Sequence, residues 1–162
     1  MTKILPTLAA LLATMSAFAQ ATAPAPAPSA PAPTPSPGFS APADDALFRD
    51  LGGQAGIERI VGDFVPRLAA DPRLGEFFKR ANQDHLRQML GELFCRISGG
   101  GCVYTGLSMK LAHQDVDVAK GDFNALVEVL QSTMDAQGVP FATQNRLLAR
   151  LAPLHRDIVN VR

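Results

Sequence analysis

The chain has 162 residues, and its 15 basic and 15 acidic side chains give a net charge of zero. Lys3 lies in a segment that we expect to be removed. Without it the chain has 14 basic and 15 acidic residues, and the net charge is −1. Because the basic residues are also scattered along the sequence, a nucleic-acid-binding surface is not expected.

The first 19 residues have the pattern of a secretory signal peptide. Lys3 precedes an apolar run from Ile4 to Phe18, and residues 17–19 form a small-x-small cleavage site. We therefore expect an exported protein, periplasmic or secreted, whose mature chain begins at Gln20. An uncleaved membrane tether is the alternative, although the run is short against the ~20 apolar residues that a membrane span needs.

Residues 20–43 are predicted to be a disordered linker rich in proline and alanine. From Ala21 to Ala43 the chain has eight Pro, eight Ala and no charged residue, too little bulky apolar surface for a core. The segment either holds the following domain away from an attachment point or is a tail left after cleavage. Residues 44–162 are enough for one domain with a small core.

Apolar periodicity predicts that this domain is helical. A short helix around 46–51 precedes Gly52-Gly53, where the chain can turn sharply. From Gln54 to Leu68 the apolar residues recur at three- and four-residue steps, which is typical of an amphipathic helix. Pro66 should kink or tighten the last turn of that helix.

Three further helices are expected downstream. One follows Asp84 as its N-cap and ends at Gly99. Another begins at Asp122 and is closed by Gly138 and Pro140, and a last one runs from about Thr143 to Val159 with a bend at Pro153. No stretch alternates apolar and polar residues long enough to form a sheet, so the predicted fold class is all-α.

A single imidazole lies between two of these helices. His113 ends the short apolar stretch Met109-Lys-Leu-Ala-His113, which follows a glycine-rich run. Alone, such a histidine is more often a hydrogen-bonded core residue than a metal ligand. The aromatic pair Phe77-Phe78 would provide a flat apolar surface or simply fill the core.

The sequence from Leu47 to Val159 resembles the truncated haemoglobins, most closely their first group. The shared motifs are Leu51-Gly-Gly, Asp63-Phe64, Asp71, Phe77-Phe78, Tyr104-Thr-Gly106, Met109-Lys110, His113, Phe123 and Gly138-Val-Pro140. The resemblance implies a two-over-two helical sandwich over residues 44–162 that encloses haem b, with His113 as the proximal iron ligand. Covalent c-type attachment is not expected because the chain has no Cys-x-x-Cys-His motif.

The side opposite His113 departs from the family pattern. The family usually has a tyrosine directly after the equivalent of Phe64 and often a glutamine on the next helix. Those positions are Val65 and Leu90 here, with Leu86 at the usual gate. Since none of the three side chains donates a hydrogen bond, this distal pocket should favour nitric oxide and carbon monoxide over tight oxygen binding.

The resemblance also places other residues around the haem. We expect Tyr104 and Thr105 to donate hydrogen bonds to a propionate, and Lys79, Arg80 or Lys110 to pair with it. The apolar walls should consist of Phe77, Phe78, Leu86, Met89, Leu90, Phe94, Met109, Phe123 and Leu126.

Two side chains are candidates for an internal sixth ligand. Met89 lies between Leu86 and Leu90, so its sulfur would either bind iron or pack at the haem edge. His85 is the other candidate, with a solvent-facing position as the alternative. His155, flanked by Arg156 and Asp157, is expected at the surface.

The two cysteines, Cys95 and Cys102, are seven positions apart on either side of the glycine run. The chain can fold back there, and in an exported protein a disulfide is the default. A structural cross-link is the favoured interpretation over a redox switch, two buried thiols remain an alternative, and a zinc site lacks a recognised ligand spacing.

Three function classes follow. The first is a haem protein that reversibly binds a diatomic gas (oxygen, nitric oxide or carbon monoxide). The second is a haem redox protein that transfers electrons with an unknown reductase or partner, or turns over nitric oxide or peroxide. The third is a haem-free helical interaction module. Whether the protein is an enzyme stays open, since nitric-oxide dioxygenation is often associated with this group.

Overall fold

Helices supply the regular secondary structure in the part of the chain that the structure covers. The computed structural model describes residue 42 and residues 44–161, so the signal peptide and nearly all of the linker lie outside the described residues. The helices are α1 (Ala46–Asp50), α2 (Gly53–Ala70), α3 (Gly75–Phe78), α4 (Gln83–Ser98), α5 (Met109–Ala112), α6 (Lys120–Ala136), α7 (Phe141–Leu151), a 3-10 turn (Ala152–Leu154) and α8 (His155–Ile158).

Helix α2 forms the centre of the core. Its apolar face is at most 3% exposed and consists of Ile57, Ile60, Val61, Phe64, Val65 and Leu68. The helix extends two residues beyond the predicted end, and the amide of Asp71 donates to the carbonyl of Arg67 to close the last turn (2.9 Å). Pro66 is tolerated inside the helix on its exposed side. There the carbonyl left without a partner can be hydrated.

Helix α4 begins earlier than the sequence predicted, and its N-cap is Asn82 rather than Asp84. The side-chain oxygen of Asn82 accepts hydrogen bonds from the amides of Asp84 and His85, both at 3.1 Å, so Asp84 lies in the first turn. The predicted end is confirmed: Gly99 has a φ of 97°, which a residue with a side chain rarely adopts.

The two C-terminal helical segments differ from their predicted limits. Helix α6 starts at Lys120, because the carboxylate of Asp122 accepts a hydrogen bond from the amide of Ala119 (2.9 Å) and caps the helix from its third residue. The predicted last helix begins at Phe141 and is divided in two by the 3-10 turn that contains Pro153. A proline there removes a helical hydrogen bond, so the expected bend is a break.

The long helices pack as two crossed pairs. Helix α2 packs against α4, and α6 against α7, while α2 also contacts α6 and α4 contacts α7. This arrangement confirms the predicted all-α, two-over-two sandwich. Within the described residues, the short helix α5 packs closely only against α8. None of the helices found in this part of the chain is long and apolar enough to span a membrane.

Candidate functional site

His113 lies at the C-terminal end of α5, with its ring half-buried. Its Nδ1 lies 2.8 Å from the carbonyl oxygen of Met109. Because a carbonyl oxygen can only accept, this contact places the ring proton on Nδ1 and leaves the lone pair on Nε2. No hydrogen bond to Nε2 is found within residues 44–161. An imidazole oriented in this way is prepared to bind a metal through Nε2.

Several predicted wall residues leave apolar surface uncovered. Some pack against the core yet remain only partly buried: Phe78, Leu86, Met89, Leu90 and Leu126. Phe77, on α3, is 36% exposed, whereas Phe94 and Met109 are buried. Half-exposed apolar side chains on α3, α4 and α6, together with the available imidazole nitrogen, fit a flat, largely apolar group such as haem.

The distal candidates occupy two different environments. Val65, on α2, is fully buried, and the ring of the neighbouring Phe64 lies 6.5 Å from that of Phe94. Leu86 and Leu90 are one turn apart on α4 and partly exposed. These three side chains carry no hydrogen-bond donor.

The two candidate sixth ligands have different surroundings. A Cβ atom placed on Gly106 would lie 2.8 Å from the Sδ of Met89, so this sulfur lies against the loop that precedes α5. His85 is exposed in the first turn of α4. The position of Met89 agrees with a packing role and that of His85 with a solvent-facing one, and iron ligation by either stays an alternative.

The loop before α5 uses hydroxyl groups that we expected to face a propionate. The Tyr104 hydroxyl donates to the carbonyl of Leu107 (3.0 Å), and burial raises the pKa of Tyr104. The Thr105 hydroxyl donates to the carboxylate of Glu92 (2.7 Å), as does the Thr105 amide (2.8 Å). Both hydroxyl protons are engaged within the protein in this conformation, and the contact of the two residues with a propionate stays a prediction.

Glu92 connects α4 with this loop. Burial opposes ionisation of its carboxylate, but the hydrogen bonds from Thr105 and from the Gln88 side chain outweigh burial and keep the pKa of Glu92 below its usual value of 4.5. The charged form of Glu92 is therefore the one that holds the loop.

The two cysteines form a second connection between the same parts. Cys95, buried near the end of α4, is joined by a disulfide to Cys102, with their Cα atoms 5.7 Å apart. This geometry matches the predicted cross-link. We call the Cys95–Cys102 disulfide and the Glu92–Thr105 contact together the α4 latch, because both tie α4 to residues 102–105.

The basic residues predicted to pair with a propionate are in different situations. Lys79 forms an ion pair with Glu76 at 3.1 Å, in which both side chains are exposed. Lys110 and Arg80 are exposed as well, and neither forms an ion pair within the described residues. Of the three, Lys110 lies on the same short helix as Met109 and three residues before His113.

His155 differs from its predicted surface position. It is half-buried at the start of α8, and its ring meets that of Phe123 edge-on, with centroids 4.9 Å apart. Since α8 packs against α5, this aromatic pair lies on the side of the molecule that carries His113.

A groove with a volume of about 480 Å³ lies elsewhere, between α2 and α4. Its lining includes Gln54, Glu58, Arg87 and Glu92, and it contains none of His113, Leu86 or Leu90. This charged groove is distinct from the candidate haem site.

Sequence reasoning missed two residues that organise the site. Glu92 looked like an ordinary exposed residue on the polar face of α4, and Asn160 lay beyond the last motif. Asn160 contacts the backbone of His113 across 47 positions of sequence. Apart from its position after a helix end, nothing in the sequence marks Asn160, because its role depends on the tertiary fold.

Comparison with known proteins gives a consistent result. The sequence model of the bacterial-like globin family matches residues 46–160. A group 1 truncated haemoglobin of Mycolicibacterium paratuberculosis is 32% identical over 113 residues, which are 70% of this chain and 83% of that protein.

Two solved structures are also similar. The truncated haemoglobin of Tetrahymena pyriformis, in its Fe(III) form, aligns with a TM-score of 0.68 at 26% identity, over 70% of this chain and 97% of that one. A 2/2 haemoglobin of a Synechococcus species, with covalently attached haem, aligns with a TM-score of 0.67 at 25% identity, over 70% of this chain and 98% of that one. Together with the helical sandwich and the oriented imidazole, these matches identify the chain as a member of the bacterial-like globin family and, within it, of the group 1 truncated haemoglobins.

Proposed function

We propose that this globin holds haem b without a covalent bond and reversibly binds a diatomic gas, with His113 as the proximal iron ligand. The observation that carries the proposal is the 2.8 Å contact between His113 Nδ1 and the Met109 carbonyl, which leaves Nε2 available. Such a contact also makes the imidazole more basic and fixes its plane. When bound, haem supplies an iron whose remaining axial position can accept a small ligand.

The apolar walls determine how the group would be retained. Leu86 and Leu90 on α4 and Leu126 on α6 present partly exposed surface. Covering such surface contributes roughly 25 cal/mol per Å² of apolar area. Retention in this protein therefore rests on apolar contact and on His113, and Lys110 is the nearest candidate in sequence to pair with a propionate.

The distal side chains determine which gas is favoured. Val65, Leu86 and Leu90 cannot donate a hydrogen bond to a ligand that carries partial negative charge. A donor there would contribute roughly 1–3 kcal/mol to oxygen binding. We infer that nitric oxide and carbon monoxide, which depend less on a donor, bind more favourably than oxygen relative to family members that have one.

The first experiment is the absorption spectrum of the purified protein reconstituted with haem, in the ferric and ferrous states and with carbon monoxide. We expect a five-coordinate ferrous spectrum that changes at once when carbon monoxide is added. A six-coordinate low-spin ferrous spectrum would assign an internal ligand and favour electron transfer, despite the positions of Met89 and His85. Failure to take up haem would overturn the proposal.

The mode of attachment needs its own test, because the Synechococcus neighbour carries covalently attached haem. Extraction with acidified butanone separates haem b from a protein that holds it only by coordination and apolar contact. We expect complete extraction and an unchanged polypeptide mass. A mass increase equal to one haem would show a covalent bond and correct this part of the proposal.

We also propose that the protein is exported, on the basis of the residue 1–19 pattern. A disulfide between Cys95 and Cys102 is compatible with an oxidising compartment. N-terminal sequencing of the protein recovered from the exported fraction should start at Gln20. Recovery of an intact Met1 terminus in a membrane fraction would instead support a retained tether.

A further inference from the structure

The side chain of Asn160 makes three hydrogen bonds with the segment that follows His113. Its Nδ2 donates to the carbonyl oxygens of His113 and Val116, both at 2.7 Å. Its Oδ1 accepts a hydrogen bond from the amide of Val118 (2.9 Å). The Asn160 amide also donates to the Val118 carbonyl (3.1 Å). One residue therefore binds backbone groups at three points between 113 and 118.

Apart from Asn160, the end of this segment is held by the Val161 amide, which donates to the Val118 carbonyl (3.2 Å), and by Asp122, which accepts from the Ala119 amide (2.9 Å), whereas residues 113–117 have little other support. Residues 113–119 contain no helix, and the internal backbone hydrogen bond found there joins the Val116 amide to the His113 carbonyl (3.2 Å). Helix α5 is one turn long and is capped by the Ser108 hydroxyl, 3.4 Å from the Leu111 amide. A helix this short is not stable by its own hydrogen bonds. The backbone position of His113 thus depends on groups outside α5.

We propose that Asn160 is a positioning residue for the iron ligand. By holding the His113 carbonyl and the turn after it, Asn160 sets the direction in which the imidazole meets the iron, and so the strength of the iron–histidine bond. This inference rests on the proposed function, since it assigns a role toward the iron ligand. It adds a contact to the Met109–His113 interaction, and this contact comes from the C-terminal end of the domain.

An amide is suited to this role because the site needs two donors and one acceptor at the same place. Aspartate in position 160 would keep an acceptor for the Val118 amide and would place negative charge against two carbonyl oxygens. Alanine would remove all three side-chain contacts. Asn160 is exposed, so neither change leaves a cavity in the core.

The test uses the full chain reconstituted with haem, in wild-type form and as Asn160→Ala and Asn160→Asp. The matched control is Asn145→Ala, which replaces another exposed asparagine, on α7, with no side-chain hydrogen bond within the described residues. Resonance Raman spectroscopy of the ferrous state measures the iron–histidine stretching band. Transfer of haem to an excess of apomyoglobin measures the rate of haem loss.

We expect both Asn160 variants to shift and broaden the iron–histidine band and to lose haem about tenfold faster. Removing a group that orients a metal ligand typically lowers metal affinity by about 10–100-fold, so this is the lower end of that range. The Asn145→Ala control should match the wild type. If both Asn160 variants keep the wild-type band and haem-loss rate while their melting temperature falls, Asn160 anchors the C-terminus only and the inference is overturned. Because the two variants are read separately, poor folding of one leaves the other to decide.

The same experiment separates the two levels of the proposal. If the wild-type protein binds haem but shows no iron–histidine band, the proposed function is contradicted, and the inference about Asn160 with it. If the wild-type band is present and neither substitution changes it, only the inference is contradicted.

Discussion

The two sides of the proposed haem site are built very differently. On one side, α4 is a 16-residue helix with a side-chain N-cap, a glycine at its end and the α4 latch tying it to the following loop. On the other, His113 follows a four-residue helix whose continuation is held by Asn160. In this site α4 is cross-linked, and the segment of His113 is attached by hydrogen bonds. If α4 faces the bound gas, as proposed above, its cross-link fixes the shape of that wall, whereas small changes around His113 can alter the proposed iron ligand.

Replacing His113, the proposed iron ligand, should have the largest effect. We expect His113→Ala to speed haem dissociation by about a hundredfold or more, since even groups that merely orient a metal ligand contribute 10–100-fold. The measurement is haem transfer to apomyoglobin, with His85→Ala as a control for the loss of an exposed histidine. Equal retention by the wild type and His113→Ala would assign the ligand to another residue.

Removing the disulfide tests the cross-linked side. Replacing both Cys95 and Cys102 with serine should lower the free energy of unfolding by about 2–3 kcal/mol, the chain-entropy value for a loop of this length. Urea unfolding of the haem-free protein provides the measurement. The iron–histidine band of the haem-bound variant should shift less than in the Asn160 variants, because the disulfide reaches the loop before α5 and not the segment after His113. A band shifted as far as in the Asn160 variants would weaken the contrast drawn above.

Adding a donor to the distal wall should change oxygen binding more than carbon monoxide binding. Leu90→Gln is better placed for this than Val65→Tyr, because Leu90 is partly exposed and Val65 is fully buried, where a larger side chain would overpack the core. We expect oxygen to dissociate about tenfold more slowly, as a hydrogen bond of roughly 1.4 kcal/mol implies. Leu90→Met is the control of similar size. An unchanged oxygen rate in Leu90→Gln would place Leu90 away from the gas.

The smallest effect is expected for the polar half of the α4 latch. Glu92→Gln should lower the free energy of unfolding by about 1 kcal/mol at neutral pH, because hydrogen bonds to a charged acceptor are stronger than those to a neutral one. Glu58→Gln is matched to it: Glu58 also accepts from a glutamine four residues earlier (2.9 Å) but has no hydrogen bond to a loop among residues 44–161. We expect the control to lose clearly less stability.

The stabilisation by Glu92 should depend on pH in a definite direction. The pKa of Glu92 is lower in the folded protein than its usual value of 4.5, so its contribution is present above that pH and is lost as the pH falls through the folded pKa. The stability difference between wild type and Glu92→Gln should therefore disappear in acid. A difference that grows on acidification would contradict the assignment.

The fold was predictable because helical periodicity and glycine stops are local signals. The apolar spacing in α2 and the end of α4 at Gly99 needed no tertiary information. The start of α4 was misplaced because Asn82 and Asp84 are both good N-caps, and only the folded backbone shows which oxygen receives the amides. The start of α6 was misplaced for the same reason, because an aspartate is common both at the N-cap and at the third position of a helix.

The site was predictable only in part, for a related reason. His113 and the leucines of α4 could be named as candidates from motifs, but the hydrogen bond from Thr105 to Glu92, 13 positions earlier, could not be predicted. Contacts between distant positions are set by how the helices cross, which the sequence pattern does not specify. Asn160, whose partners lie 42–47 positions away, is the extreme case.

The single turn that carries His113 also affects how the protein matures. Segments with few buried contacts open at little free-energy cost, so in the haem-free chain residues 109–118 should exchange their amide protons and be cleaved by proteases well before α2 or α4. A group that binds only the closed form stabilises it by mass action. Haem would then complete the structure rather than enter a finished one, and resistance to proteolysis would report the loaded fraction of the protein in the compartment where it accumulates.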